Sequence, residues 1–228
     1  MYTWHWDIIW HYRGIFAEGA LVTLGLALLV SILGTLLGAV VTTVRGSKNP
    51  VFAAMARAYV ELFRALPTLV VLIWIYYVVP TVVDWRMAPF SAATIALSLH
   101  LSAFVSETIR ASIESIPQSQ FESGLALGMT RNATMLHVIL PQAVRTMIPN
   151  MLGLYITEMK NSSLTSVIAV NEILHRANIL ISETFRPLEI YTAVAVMYLV
   201  LIAPCIAASR LLEKRFSTGI RSTTLLSA

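Results

Sequence analysis

The chain has 228 residues, of which 57% are hydrophobic and only 12% charged, with a formal net charge of +4. Soluble domains carry about twice that share of charge, so a water-soluble fold is excluded as the first expectation. Apolar runs of about 20 residues, enough for a helix to cross a bilayer, become the organising feature. A single cysteine, Cys205, rules out an internal disulfide or a cysteine metal cluster and reads as a packing residue.

In chain order, residues 1–18 hold Trp4, Trp6, Trp10 and Tyr12 without a basic leader or a small-residue cleavage site. The aromatic rings predict an amphipathic segment lying at a membrane interface, with an ordinary aromatic core helix as the alternative. Residues 20–44 contain no charge and are bounded by Glu18 and Arg45, which predicts the first span. Within it Gly34 and Gly38 have the spacing of a close helix contact. Further apolar runs cover about 66–83, 90–105 and 190–208, and a weaker one, 144–170, is interrupted by Glu158 and Lys160. The expected architecture is an all-α membrane protein of about five transmembrane helices, forming one domain over 1–228 with no internal repeat.

Arg45, Lys48, Arg57 and Arg64 follow the first span, and Arg210, Lys214, Arg215 and Arg221 close the chain. Basic residues gather on the cytoplasmic side, so both segments are expected there, with the C-terminus inside. Five spans then put the N-terminus outside, along with the loop at Asp84 and Arg86 and a longer loop at about 171–187. Residues 110–145 become the largest internal loop. In it Pro117 opens a short helix that ends near Gly128, with Phe121, Leu125 and Met129 on one side at four-residue spacing.

This loop resembles the cytoplasmic signature of ABC importer permeases, in which Glu-Ala-Ala is followed after three residues by Gly, then by an aliphatic residue and Leu-Pro. Here Glu122, Ser123 and Gly124 stand at the first positions, Gly128 at the glycine, Val138 at the aliphatic position and Leu140-Pro141 at the end. Ser123 and Gly124 replace two alanines, and glycine loosens a helix by about 1 kcal/mol relative to alanine. The stretches AYVELFRALPTLVVLIWIYY, LSAFVSETIRASIESIP and KNSSLTSVIAVNEI are similar to segments of the polar amino-acid branch of these permeases, the histidine, glutamine and glutamate type, and the likeness covers most of 16–215. The resemblance implies the ABC type I importer permease fold, with residues 119–130 as a coupling helix that docks an ATPase dimer through Phe121, Glu122, Ser123, Gly124, Leu125, Gly128 and Met129. It implies a membrane-bound transport subunit, not an enzyme, in the inner membrane. An external binding protein delivers cargo, and a second permease chain, identical or related, is needed because five spans are too few to enclose a path.

No GxxxxGK[ST] occurs in the sequence, so ATP and magnesium are expected to be used by the partner, with no cofactor, metal or nucleic acid bound by this chain. A channel or a membrane enzyme such as an intramembrane protease is the rival reading. No GxSxG or HExxH supports it, and the five histidines show no ligand spacing.

Ionisable groups inside a span mark a site or a buried pair. Glu158, Lys160, Asn161, Ser162 and Ser163 concentrate polar groups at what should be mid-depth, and an interrupted helix there would also offer backbone dipoles to a charged substrate. Lys160 is the candidate for a substrate carboxylate, or else it pairs with Glu158 or Glu107. Similar permeases often carry aspartate after this lysine, so Asn161 leans the cargo toward a neutral or acidic amino acid. His100, Ser102, Ser106 and Glu107 are candidates for lining the same cavity, His100 alternatively packing. Arg64, at the start of the second span, gates the path or anchors at the interface by snorkelling.

Overall fold

The computed structural model describes residues 2–217, with side chains through 214. The side chain of Arg215 and all of Arg221, both counted in orienting the chain, lie outside the described residues. All regular elements in the described residues are helical. They are α1 (Asp7–His11), α2 (Arg13–Arg45), α3 (Pro50–Ala65), α4 (Thr68–Val83), α5 (Pro89–Glu114), α6 (Gln118–Ala126), α7 (Arg131–Ile168), α8 (Ile173–Thr184) and α9 (Pro187–Ser217).

Three of these, α2, α5 and α9, are each long and apolar enough to cross a bilayer. Two bent pairs raise the number to as many as five when each pair is counted as one span: α3 with α4, broken by 109°, and α7 with α8, broken by 45°. The first break falls at Leu66-Pro67, both extended, because proline lacks the N–H that continuing α3 would require and restricts the residue before it. Arg64 therefore ends α3 rather than starting the second span. Residues 1–18, read in the sequence as one segment, divide between α1, which ends at His11, and the first turns of α2, which starts at Arg13.

Two helices carry a single wider π turn, Trp74–Val78 in α4 and Met135–Ile139 in α7, and each ends just before a proline-containing turn, with Pro80 and Pro141 respectively. Proline removes one donor and crowds the carbonyl four residues back, and a π turn relieves both without ending the helix. The last turns of α7, Ser162–Ile168, tighten to 3₁₀ geometry and stop at Ala169 in the left-handed region, φ 60°.

The segment at 171–187, expected as a loop, is mostly α8. Glu172, fully buried, caps it by accepting from the backbone N–H groups of Leu174 and His175 at 2.8 and 2.7 Å, and its carboxylate also accepts from the Tyr198 hydroxyl at 2.9 Å. The N-terminal segment reaches the same end of the molecule. Ile8, Ile9, Tyr12 and Phe16 join Ile173, Leu180 and Ile190 in one apolar cluster, while Trp4, Trp6 and Trp10 stay exposed.

The core lies where α2 crosses α5. A Cβ on Gly38 would come within 2.5 Å of Val105 and 2.8 Å of the Ser102 carbonyl, and one on Gly34 within 2.7 Å of Leu101. These two glycines let the backbones approach as their spacing predicts. Hydroxyls in α2 are satisfied inside the helix: Thr23, Ser31, Thr35 and Thr42 donate to carbonyls four residues back, which removes the cost of carrying them into lipid.

Candidate functional site

The short helix α6 is the first candidate. It is closed by a Schellman motif: Gly128, with φ 80°, donates to the Leu125 carbonyl at 2.9 Å, and Met129 to the Gly124 carbonyl at 3.1 Å. Glycine takes the left-handed conformation at no steric cost. Gly124, read in the sequence as loosening the helix and as one of the docking residues, is buried and has a packing role. A Cβ there would sit 2.5 Å from Cγ2 and 2.8 Å from Oγ1 of Thr134, a fully buried residue in the first turn of α7. The helix is thus pressed against the base of α7. Phe121 and Met129 are half-buried, Glu122, Ser123, Leu125 and Gly128 are exposed, and Leu127, absent from the expected face, is far more exposed than Leu125, at 83%.

Away from the buried Glu172 and Glu189, the ionisable candidates from the sequence fall in two separate clusters. In the first, Glu107 on α5 gathers Arg45 from α2 at 3.0 Å, Arg64 from α3 at 3.6 Å and Arg110 from its own helix at 2.6 Å. Arg110 also bonds Glu114, and the Arg64 guanidinium lies 5.9 Å from the centre of the Phe104 ring. The neighbouring hydroxyls tie helices together: Ser106 meets the Thr42 hydroxyl at 3.1 Å, and Ser102 meets Tyr59 at 2.7 Å.

In the second cluster, Glu158 on α7 is 4% exposed and His100 on α5 is 6% exposed. His100 Nδ1 stands 3.8 Å from Glu158 Oε1, beyond hydrogen-bond reach. Nε2 of His100 meets the Thr68 hydroxyl at 3.3 Å, at the start of α4, and Asn161 donates to Glu158 Oε1 at 3.3 Å. Nδ1 of His100 and Oε2 of Glu158 are buried with no partner. Ser162 and Ser163 turn their hydroxyls back to the carbonyls of Met159 and Lys160, both at 2.8 Å. Lys160 is exposed, and its ammonium pairs with neither Glu158 nor Glu107. The structure thus brings His100, Glu158 and Asn161 together around the bend at Thr68 and places Ser106 and Glu107 elsewhere.

Chemically, the second cluster offers acceptors and one imidazole in a buried setting, where an unpaired group costs about 1–3 kcal/mol. The grouping resembles no hydrolytic site: Ser162 and Ser163 donate to backbone, away from His100. Among the described residues no cluster of three or more His, Cys, Asp or Glu side chains is arranged to hold a metal ion.

Comparison with known proteins agrees with this geometry. Residues 32–218 match the family model described as the binding-protein-dependent transport system inner membrane component. A probable amino-acid ABC transporter permease protein of Vibrio harveyi is 38% identical over 165 residues, 72% of this chain and 74% of that one. The glutamine transport system permease protein of Escherichia coli K12 is 34% identical over 211 residues, 92% of this chain and 96% of its own length. Among solved structures, an amino acid ABC transporter crystallised with histidines superposes with a TM-score of 0.90 at 31% identity, covering 94% of this chain and all of that one. The chain belongs to the inner-membrane components of binding-protein-dependent transport systems and is a permease of the amino-acid ABC transporter type with the type I importer fold.

Proposed function

We propose that two permease chains, this one and either a copy or a relative, form the path by which a polar amino acid enters the cell, with a separate ATPase dimer supplying the energy and an external binding protein supplying the cargo. The N-terminus and α8 face outward, and α6 and the C-terminus face the cytoplasm. α6 is the coupling helix, and one observation carries that reading. A nine-residue helix is closed by a left-handed glycine and seated on α7 through Gly124 and Thr134, so a push on its exposed side moves α7 instead of bending a loop. The contact surface for the ATPase comprises Glu122, Ser123, Leu125 and Gly128, together with Leu127, while Phe121 and Met129 brace the helix from their half-buried positions. ATP and magnesium are used on the partner chains.

The substrate path runs past His100, Glu158 and Asn161 to Lys160, Ser162 and Ser163. Lys160 receives the substrate carboxylate. Ser106, Glu107 and Arg64 act as anchors at the cytoplasmic end of the path. Asn161 adds no negative charge for a basic side chain, so the cargo is a neutral or acidic amino acid. Glutamine leads because it is the substrate named for a relative 34% identical.

The test is ATP hydrolysis by the complex of permease, ATPase and binding protein in proteoliposomes, titrated with single amino acids. Glutamine is expected to stimulate hydrolysis most, with arginine well behind. Equal stimulation by arginine would remove the preference for a neutral cargo. Hydrolysis indifferent to every amino acid would remove the importer reading and favour a channel or an enzyme.

A further inference from the structure

His100 and Glu158 come together where two interrupted spans meet. Thr68 is the first residue of α4 after the 109° break, and Glu158 stands one turn ahead of the point where α7 tightens at Ser162. Discontinuous helices in transporters hold substrates at such points. Two buried polar atoms are left over there, Nδ1 of His100 and Oε2 of Glu158. The neighbours of the imidazole place its proton. Oε1 of Glu158 accepts from Asn161 and lies 3.8 Å from Nδ1. A lone pair on Nδ1 would face the lone pairs of that oxygen, so the proton sits on Nδ1, and Nε2 accepts from the Thr68 hydroxyl at 3.3 Å. The ring packs on Phe104, 5.0 Å away between centres. The pair therefore offers one N–H donor and, beside it, one carboxylate oxygen still to be bonded.

Few ligand groups satisfy both atoms. A guanidinium or an ammonium carries donors alone and sets an N–H against the Nδ1 proton. A carboxylate carries acceptors alone and sets its charge against Oε2. An apolar side chain leaves both atoms unpaired. A primary carboxamide supplies an oxygen for the Nδ1 proton and an N–H for Oε2, side by side on one carbon. Position points to the side chain of the cargo and away from its head group. Glu158 and Lys160 are two residues apart on α7 and face different sides of it, the first buried and the second exposed. An α-ammonium, one carbon from a carboxylate held by Lys160, stays on that side. The amide of glutamine, with three carbons between it and the carboxylate, extends away from it.

We propose that His100 and Glu158 read the side chain of the cargo by holding a primary carboxamide, admitted as α4 moves against α7, with Thr68 as a positioning residue that fixes the imidazole tautomer. The assignment rests on the importer reading and narrows its cargo from a neutral or acidic amino acid to one whose side chain ends in a primary amide.

The test is uptake by the complex of permease, ATPase and binding protein in proteoliposomes, with differently labelled glutamine and glutamate measured in one sample. The binding protein is common to all samples, so a change in the ratio of the two uptakes belongs to the permease. Glu158→Gln removes the charge that repels glutamate and is expected to lower the glutamine-to-glutamate ratio about tenfold or more. Thr68→Val keeps the shape of the side chain, leaves the pair itself intact and releases Nε2, and is expected to lower the ratio about fivefold, the worth of one neutral hydrogen bond. An unchanged ratio in Glu158→Gln, or in Thr68→Val where the first variant does not assemble, overturns the assignment and leaves the pair to a buried water or to packing. Native uptake of arginine above that of glutamine overturns it as well, because Glu158 would then be the counter-ion of a cation. Native ATP hydrolysis that no amino acid stimulates would overturn the importer reading and the assignment together, whereas stimulation by glutamine with an unchanged ratio removes only the role given to His100 and Glu158.

Discussion

Glu107 and Glu158 are both carboxylates inside the helical bundle, and their surroundings are opposite. Glu107 is surrounded by guanidinium groups from α2, α3 and α5, and both its oxygens are bonded. Glu158 has one weak contact to Asn161, a histidine nitrogen too distant to bond, and one oxygen with no partner. A saturated cluster needs nothing from outside the chain, so it holds helices in place. An under-saturated one costs free energy until something fills it, and proteins retain such groups where a ligand or a conformational change supplies the missing partner.

The contrast is testable from both sides, first through stability. Glu107→Ala leaves three arginines at the helix ends without their carboxylate. Removing one member of a buried ion pair costs about 3–5 kcal/mol, and because the Glu107 side chain keeps one-fifth of its exposure a loss of about 3 kcal/mol is expected. The measurement is the thermal midpoint of the detergent-solubilised permease, which should fall by several degrees. A midpoint within about one degree of the native value would mean that the arginines find other partners and that the cluster holds nothing. Glu158→Gln comes second and runs the other way. The amide oxygen still accepts from Asn161, so stability should change by no more than about 1 kcal/mol, while uptake in proteoliposomes falls about tenfold or more. Uptake at the native rate, or destabilisation as large as that of Glu107→Ala, would erase the distinction between the two carboxylates.

What the sequence makes legible here is local, and what it hides is set by distant contacts. The spacing from Glu122 through Gly128 to Leu140-Pro141 lies within one helix–turn–helix stretch, and the helix, its end and its left-handed glycine follow from it. Gly124 shows the limit: its reason for being glycine is Thr134, ten residues on and in another helix. His100 does not share its partners with Ser106 and Glu107, for a geometric cause. His100 and Glu107 are seven residues apart, so they share a helix face but stand about 10 Å apart along it, deep enough in one case to meet α7 and shallow enough in the other to meet Arg45 and Arg64. α8 is hidden because Glu172, whose charge suggests an exposed loop, is buried as its cap. Apolar length alone counts five spans where two of them are broken. The prolines at 67, 80 and 141 mark the first break and both π turns, and all three are plain in the sequence.

Lys160 probes the same contrast where the structural effect is smallest. Its ammonium pairs with neither Glu158 nor Glu107 and its side chain is exposed, so Lys160→Ala should leave the thermal midpoint unchanged to within about 0.5 kcal/mol of stability, as for surface substitutions generally. A lysine that pairs with no carboxylate and whose removal leaves stability unchanged has no structural role, which would leave function as the reason it is there. Transport should then be lost or redirected to cargo lacking a carboxylate, read as uptake of glutamine against glutaminamide at matched concentrations. Native uptake of both, at native affinity, would place Lys160 in the scaffold and leave the carboxylate of the cargo to the backbone N–H groups near the 3₁₀ turn at Ser162.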